Sequence, residues 1–348
     1  MRIVVDINHP AHVHFFKHFV WSMRAAGHEV LITASDKDMA LHLLDRYGFD
    51  YVNLRSYGRH LVQKIIRLPI MDVRLWRAAR RFRPYVLLGV ASVRAAHAAA
   101  LLRSRCINFD DSEHARVEVR LYLPFVERVC TPSCFKRDLG PKQLRYDGFH
   151  ELAYLHPRRF RADPAILGEA GLVPGEPFSV VRFVSWGAVH DVGQKGFRRD
   201  EKRRLIDTLA ERGRVFVVSE GPLDAEFEPH RLTVPPERIH DLLFYAQLYV
   251  GEGATMATEA GLLGTPSVYM SSLVGTMGNF EELADRWDLV HAFRSADQAI
   301  ADAAALAGDT EAKAAWDRKR ERLLEEKVDV TQWMIDLVLG GPAAGERD

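Results

Sequence analysis

Apolar positions along this chain follow two alternating rhythms. Short apolar runs read as strands at Arg2–Ile7, Glu29–Thr33, Tyr51–Leu54, Tyr85–Gly89, Arg105–Phe109 and Arg128–Thr131. The stretches between them carry helical spacing. From Val13, residues Phe15, Phe16, Phe19, Val20 and Met23 recur at three- and four-residue steps, and Gly27 stands where a left-handed cap would end the helix. Met39–Tyr47 reads as a helix stopped by Gly48. Leu61–Phe82 reads as a long helix with a break at Pro69, and Ala91–Leu102 as an alanine-rich one. Strand, helix and strand in this order predict a parallel sheet with right-handed crossovers.

The rhythm lapses at Tyr146–Leu172, where Gly148, Pro157, Pro164 and Gly171 accompany no strong period. This segment reads as an interdomain connection. A second series follows. Its expected strands are Phe178–Val184, Val215–Ser219, Leu248–Gly251 and Ser267–Met270. Its expected helices are Lys202–Arg212, Arg238–Ala246, Ala257–Leu263, Glu281–Leu289 and Ala296–Leu306. A charged helical stretch, Glu311–Leu339, comes last, and Gly340–Asp348 reads as a frayed tail. The 348 residues suit two domains of about 100–200 residues each. The expected bounds are 1–148 for a first Rossmann-like domain, 149–172 for the connection and 173–310 for a second Rossmann-like domain.

Composition narrows the classes. At 47% hydrophobic residues, the chain can fill two cores. Lys and Arg number 47 and so do Asp and Glu, so no global basic field exists to hold nucleic acid. Two local basic runs remain, Arg74–Arg83 and Arg198–Arg204. Each reads as a solvated helix face. The first also reads as a peripheral contact with the inner membrane face, because Leu75, Trp76 and Phe82 interleave with its arginines. Cys106, Cys130 and Cys134 make an odd set without a disulfide framework, and their CxxxC spacing has no second cluster to complete a zinc site. No apolar run approaches the roughly 18 residues of a membrane span. No charged-then-apolar leader follows Met1, so a cytoplasmic location is expected.

Four segments could carry chemistry. The first is Gly251–Pro266, GEGATMATEAGLLGTP, running from a strand end into a helix. Gly251 and Gly253 allow close backbone approach, and the helix N-terminus of Gly253, Ala254, Thr255 and Met256 offers free N–H groups to a phosphate. Thr255 adds a hydroxyl. Glu259, in the first turns, can accept hydrogen bonds from a ribose diol. The same turn could also form with Glu259 simply solvated. The second segment is Asn8–His14, NHPAHVH, at the carboxyl end of the first strand, where open α/β sheets bind ligands. A histidine there suits proton removal from a hydroxyl. His9, His12 and His14 also make a metal trio conceivable, and a polar loop with one capping histidine is the plain alternative. The third is the loop after the first strand of the second series, FVSWGAVHDVGQKG. Gly187 permits close approach, Ser185 can donate to an oxygen, and Arg182 or Lys195 can offset phosphate charge. The fourth is Asp110–His114, DDSEH, which reads equally as general-base carboxylates and as a capped helix start.

The Gly251–Pro266 segment resembles the nucleotide-sugar site of GT-B enzymes, notably the MurG-type glycosyltransferases of peptidoglycan synthesis and, more distantly, UDP-N-acetylglucosamine 2-epimerase. The matching residues are Gly253, Ala254, Met256 and Glu259, then Gly264, Thr265 and Pro266. The resemblance implies that Glu259 binds the nucleotide ribose and that Asn279 lies in a sugar-proximal segment. It places His12 where MurG-like enzymes have the histidine of a Gly-Gly-His turn, with Pro10 and Ala11 replacing the glycines. Glu113 matches loosely an acid–base carboxylate of the epimerase, although Leu88–Ala91 lacks that enzyme's aspartate; Asp111 of the same acidic cluster is a further catalytic candidate. Over most of its length, through DINHPAHVHFFK, FDDSEHA, RFVSWGAVHD and the glycine segment, the chain resembles the DUF354 family of GT-B-like proteins.

The fold implied is α/β and GT-B-like, two Rossmann-like domains facing across a cleft, with a C-terminal helix at 311–340 crossing back to the first. The implied activity is transfer of a sugar from a nucleoside-diphosphate sugar, UDP-linked, to a glycan or lipid-linked acceptor. His12 would act as base, with no metal and no cofactor beyond the donor substrate. The alternatives are a UDP-sugar 2-epimerase or hydrolase, and a non-catalytic nucleotide-sugar-binding protein.

Overall fold

The computed structural model describes residues 1–37, 39–56, 61–173, 175–183, 196–219 and 223–340. The chain divides into two units, Met1–Arg159 with Lys327–Asp348, and Phe160–Glu326. The first unit runs β1 (Arg2–Ile7), α1 (Pro10–Ala25), β2 (Glu29–Ala34), α2 (Ala40–Arg46), β3 (Tyr51–Asn53), α3 (Leu61–Phe82), β4 (Val86–Val90), α4 (Val93–Leu102), β5 (Arg105–Phe109), α5 (Arg116–Tyr122), β6 (Arg128–Pro132), β7 (Gln143–Tyr146) and α6 (Leu152–Leu155). Among the described residues its strands form one sheet in the order β3-β2-β1-β4-β5-β6-β7, parallel throughout. The order reverses beside β1, and open α/β sheets bind ligands at such switch points, beyond the strands' carboxyl ends.

Local chemistry starts α1. His9 caps it by accepting the Ala11 N–H at 3.2 Å, and Pro10 takes the first helical turn, where a missing N–H costs nothing. The helix then buries Val13, Phe15, Phe16, Phe19, Val20 and Met23, the stripe that its spacing marks.

The second unit runs α7 (Ala165–Glu169), β8 (Phe178–Phe183), α8 (Arg199–Ala210), β9 (Arg214–Ser219), α9 (Ile239–Tyr245), β10 (Leu248–Gly251), α10 (Ala254–Leu262), β11 (Ser267–Met270), α11 (Gly278–Glu281), β12 (His291–Phe293), α12 (Ala296–Gly308) and α13 (Ala312–Glu326). Its described strands form a parallel sheet in the order β12-β11-β10-β8-β9.

Several expectations need correction. The charged stretch 311–339 is two helices, not one. It breaks after α13, and α14 (Val330–Leu339) starts on Asp329, whose side chain accepts the Gln332 N–H. This last helix belongs to the first unit, where the Thr331 hydroxyl donates to Ala153 O at 2.7 Å and Arg159 holds Asp329 at 2.8 Å. The segment 149–172 is no separate connector, since Arg159 closes one unit and Phe160 opens the other. Pro69 does not break α3, because it lies on the exposed side, where water can satisfy the carbonyl left without a donor.

The apolar side chains of the basic run on α3 pack against the protein. Leu75 is fully buried, and the partly buried Trp76 and Phe82 pack against the same core cluster. Among the described residues no helix is long and apolar enough to cross a membrane.

Candidate functional site

The switch point of the first sheet is built on a buried charge network that sequence reasoning missed. Strand register sets Asp6 of β1 opposite Thr33 of β2 and Gly89 of β4. The Asp6 carboxylate accepts hydrogen bonds from Thr33 Oγ1 at 2.7 Å and Ser92 Oγ at 2.5 Å. Arg94 of α4 donates from Nε to both carboxylate oxygens at 2.9 and 2.8 Å. Its Nη2 reaches Ile7 O at 3.0 Å and its Nη1 reaches Ser35 Oγ. Asp6 and Arg94 are both inaccessible to solvent. The guanidinium thus ties the loops after β1 and β2 to one anchor. Gly89 is required beside it, since an added Cβ would come 2.5 Å from Ser92 Cβ. A lone arginine in an alanine-rich helix was the available signal.

The histidine loop rises from that anchor. His12 is half-buried, and its Nδ1 accepts the Asn8 N–H at 3.3 Å. Burial above all, then the nearby positive or ionisable groups of His9, Lys37, His150 and Arg94, hold its pKa well below the usual histidine value. It is therefore neutral at pH 7, and in this geometry its proton sits on Nε2. His9 lies beside it, with ring centroids 5.9 Å apart. His14 does not join them. It is bonded to the Tyr47 hydroxyl at 3.2 Å and tilted against Tyr154, so the metal trio is not assembled.

His150, which sequence reasoning passed over, does share this neighbourhood. It stacks on Phe15 at 4.5 Å and its Nδ1 meets the Tyr146 hydroxyl at 2.8 Å. Its Nε2 is buried without a hydrogen-bond partner among the described residues, and Asp111 Oδ2 lies 3.9 Å from Nδ1. Burial lowers the His150 pKa and Asp111 partly offsets this.

The acidic cluster separates by role. Asp110 is buried and accepts from Tyr122 Oη at 2.7 Å and from the Ser112 N–H at 3.0 Å, while burial pushes its pKa up to about 7. Asp111 is the member that approaches His150. Glu113 is buried and turns to backbone, with Oε1 accepting the Lys136 N–H at 3.2 Å. The cluster does not cap a helix, because α5 starts at Arg116 behind Ala115 without a side-chain cap.

In the second unit, register places Gly251 of β10 opposite Arg182 of β8. An added Cβ at Gly253 would lie 2.9 Å from both Cδ and Nε of Arg182, so the glycine lets this side chain lie against the turn. The Glu252 N–H donates to Arg182 O at 3.1 Å, and Glu252 Oε1 accepts the Phe197 N–H. Gly253 is the N-cap of α10, and among the described residues no side chain caps that end. Ala254 and exposed Thr255 open the helix, whereas Met256 turns into the core.

Glu259 is not solvated. It is buried, and its Oε1 lies 2.9 Å from Nε2 of His240, itself buried on α9. His240 was a further miss, a single histidine among the apolar positions of IHDLLFY. Thr258 is fully buried with a hydroxyl that finds no partner among the described residues. Asn279 is buried in α11, with Oδ1 accepting the Phe280 N–H at 2.9 Å. Ser185 and Gly187 lie outside the described residues.

Residues 1–280 match the family described as protein of unknown function (DUF354). An uncharacterized protein of Methanocaldococcus jannaschii is 25% identical over 290 residues, covering 79% of this chain and 84% of its own length. A UDP-N-acetylglucosamine–N-acetylmuramyl-(pentapeptide) pyrophosphoryl-undecaprenol N-acetylglucosamine transferase of Desulfotalea psychrophila is 31% identical over 126 residues. That match spans only 32% of this chain and 34% of the transferase. Among solved structures, the SsfS6 glycosyltransferase of Streptomyces sp. SF2575, complexed with thymidine diphosphate, superposes with a TM-score of 0.65 at 16% identity, over 98% of this chain and 100% of its own. The spinosyn forosaminyltransferase SpnP gives 0.64 at 15% identity, over 97% of this chain and 99% of its own. These structural likenesses establish the fold, two Rossmann-like halves of the GT-B type. With both sheets parallel and its sequence matched from Met1 through most of the second unit, the chain belongs to the DUF354 family and has the GT-B fold.

Proposed function

We propose that this protein is a glycosyltransferase that moves a sugar from a nucleoside-diphosphate sugar, UDP-linked, to a hydroxyl of a glycan or lipid-linked acceptor. The observation that carries the reading is Arg182 lying against Gly253, at the uncapped N-terminus of α10. A guanidinium and a row of helix N–H groups together suit a diphosphate. Glu259, farther along α10 and oriented by His240 of α9, is the group for the ribose diol. The family resemblance of the glycine segment and the transferase relative in Desulfotalea psychrophila support the same assignment.

In this reading the second unit binds the donor and the first binds the acceptor near His12. The acceptor oxygen forms a bond to the anomeric carbon. The bond from that carbon to the diphosphate breaks, and the diphosphate leaves with the electron pair. Arg182 and the α10 amides stabilise the charge that develops there. The acceptor proton passes to His12, which is neutral and so able to take it. Uptake at Nδ1 displaces the Asn8 N–H now bonded there. Charge stabilisation by protein groups makes the step independent of a metal ion in this reading.

The test is a calorimetric screen of UDP, GDP, CDP, dTDP and their sugars against the wild type, Glu259→Ala and Arg182→Gln. Saturable binding of one nucleotide class, weakened in both variants, is expected. Absence of binding by every nucleotide would reduce the reading to a fold without this activity.

A further inference from the structure

A cavity of about 670 Å³ opens in the first unit beside β3 and α3. Arg55, Arg74, Arg77 and Arg81 line it, together with apolar surface from Leu31, Val52 and Phe82, and among the described residues no acidic side chain does. Helical spacing puts Arg74, Arg77 and Arg81 on one face of α3. Arg74 is committed to the protein, donating from Nη1 to Leu54 O at 2.7 Å. Among the described residues the guanidinium groups of Arg55, Arg77 and Arg81 make no hydrogen bond or ion pair. The lone carboxylate in the α3 sequence, Asp72, is held instead by His97 Nδ1 at 2.8 Å. Arg80, outside the cavity, is laid over the Trp76 ring. Arg55 also sits at a φ of 74°, a left-handed conformation that strains a non-glycine residue, and Asn53 Oδ1 supports it by accepting its N–H at 2.7 Å.

Three cations gathered with no counter-ion among the described residues repel one another, and a bound anion relieves that repulsion. Guanidinium forks match phosphate oxygens in geometry as well as charge. The cavity volume falls in the range of small-ligand sites, about 300–1,000 Å³. The apolar lining adds a surface for a non-polar body. Leu75 and Trp76 pack against the core and take no part in the lining. We propose that this pocket is a second anion site, binding a small organic phosphate whose apolar or aromatic body covers Leu31, Val52 and Phe82. It lies in the first unit and does not depend on the glycosyl-transfer reading.

The experiment is calorimetry on the full chain with phenyl phosphate, inorganic phosphate and phenol as probes. The variants are Arg77→Gln/Arg81→Gln, both positions exposed and so tolerant of change, and Glu259→Ala as a control. Phenyl phosphate is expected to bind more tightly than inorganic phosphate or phenol. The double arginine variant should weaken it about tenfold or more, as the loss of two charge-assisted contacts requires, and Glu259→Ala should leave it unchanged. UDP binding, read in the same samples, reports separately on the second unit. Equal affinity in the double variant would overturn the proposal. So would the absence of saturable phenyl phosphate binding alongside arginine-dependent adsorption to phosphatidylglycerol vesicles, which would reassign these arginines to a membrane surface.

Discussion

Replacing Arg94 with methionine removes the cation from beneath the first unit's switch point and keeps a similar apolar volume. The lost contacts are two hydrogen bonds to Asp6, one to Ile7 O and one to Ser35 Oγ, all buried. What remains is a carboxylate with no access to water, still accepting from Thr33 and Ser92 but without its counter-charge. Breaking a buried pair by deleting one partner costs about 3–5 kcal/mol. For a unit of this size each kcal/mol moves the midpoint by about 2–4 °C, so the first unit's transition should fall by about 6–20 °C. Differential scanning calorimetry reads this, and hydrogen exchange along β1, β2 and β4 assigns it to the first unit. The double variant Asp6→Asn/Arg94→Met should recover a substantial part of the loss, because it leaves no stranded charge. A single variant that loses under about 1 kcal/mol would refute the argument, as would a double variant whose loss equals the sum of the two singles.

Three further outcomes follow from the site. Gly253→Ala should weaken nucleoside-diphosphate binding about tenfold while leaving the fold intact. Its backbone at φ −85° accepts alanine, but the new Cβ must displace Arg182; an unchanged Kd by calorimetry would show that Arg182 does not serve the diphosphate. Asp110 should make the first unit less stable as pH rises. Its folded pKa of about 7 lies above the ordinary carboxylate value, so its contribution is full below the unfolded pKa and is lost as pH climbs through 7. Asp110→Asn should flatten that part of the stability-versus-pH curve in urea titrations, and an unaltered slope would contradict the assignment. Because the His12 pKa is depressed, transfer that uses neutral His12 should hold its rate as pH falls from 7 to 6. A rate falling by half near pH 6.5, abolished in His12→Gln, would mean that the imidazole titrates like an exposed one.

The chain by itself determined the alternation of strands and helices, the buried stripe of α1, the glycine turn into α10 and the division into two sheets. These features rest on local causes, such as a burial period along one element, a capping side chain, or a proline or glycine that restricts a turn. The family resemblance was carried by similarly contiguous stretches. The meaning of the charged residues was another matter. Arg94 and Asp6 are 88 positions apart and meet only because β1 and β4 are neighbours in register. For Glu259 the sequence left a ribose-binding group and a solvated side chain both open, and the burial of its carboxylate against His240 came only with α9. The backbone partner of Glu113 comes from Lys136, 23 positions on, and the arginines of α3 formed no site until β3 closed one side of a cavity. In each case the local pattern stated how much of a residue was buried or polar, and only the packing of distant elements decided which partner it faced. A charge owes its cost and its use to that partner and to the water excluded around it, and both are properties of the tertiary structure.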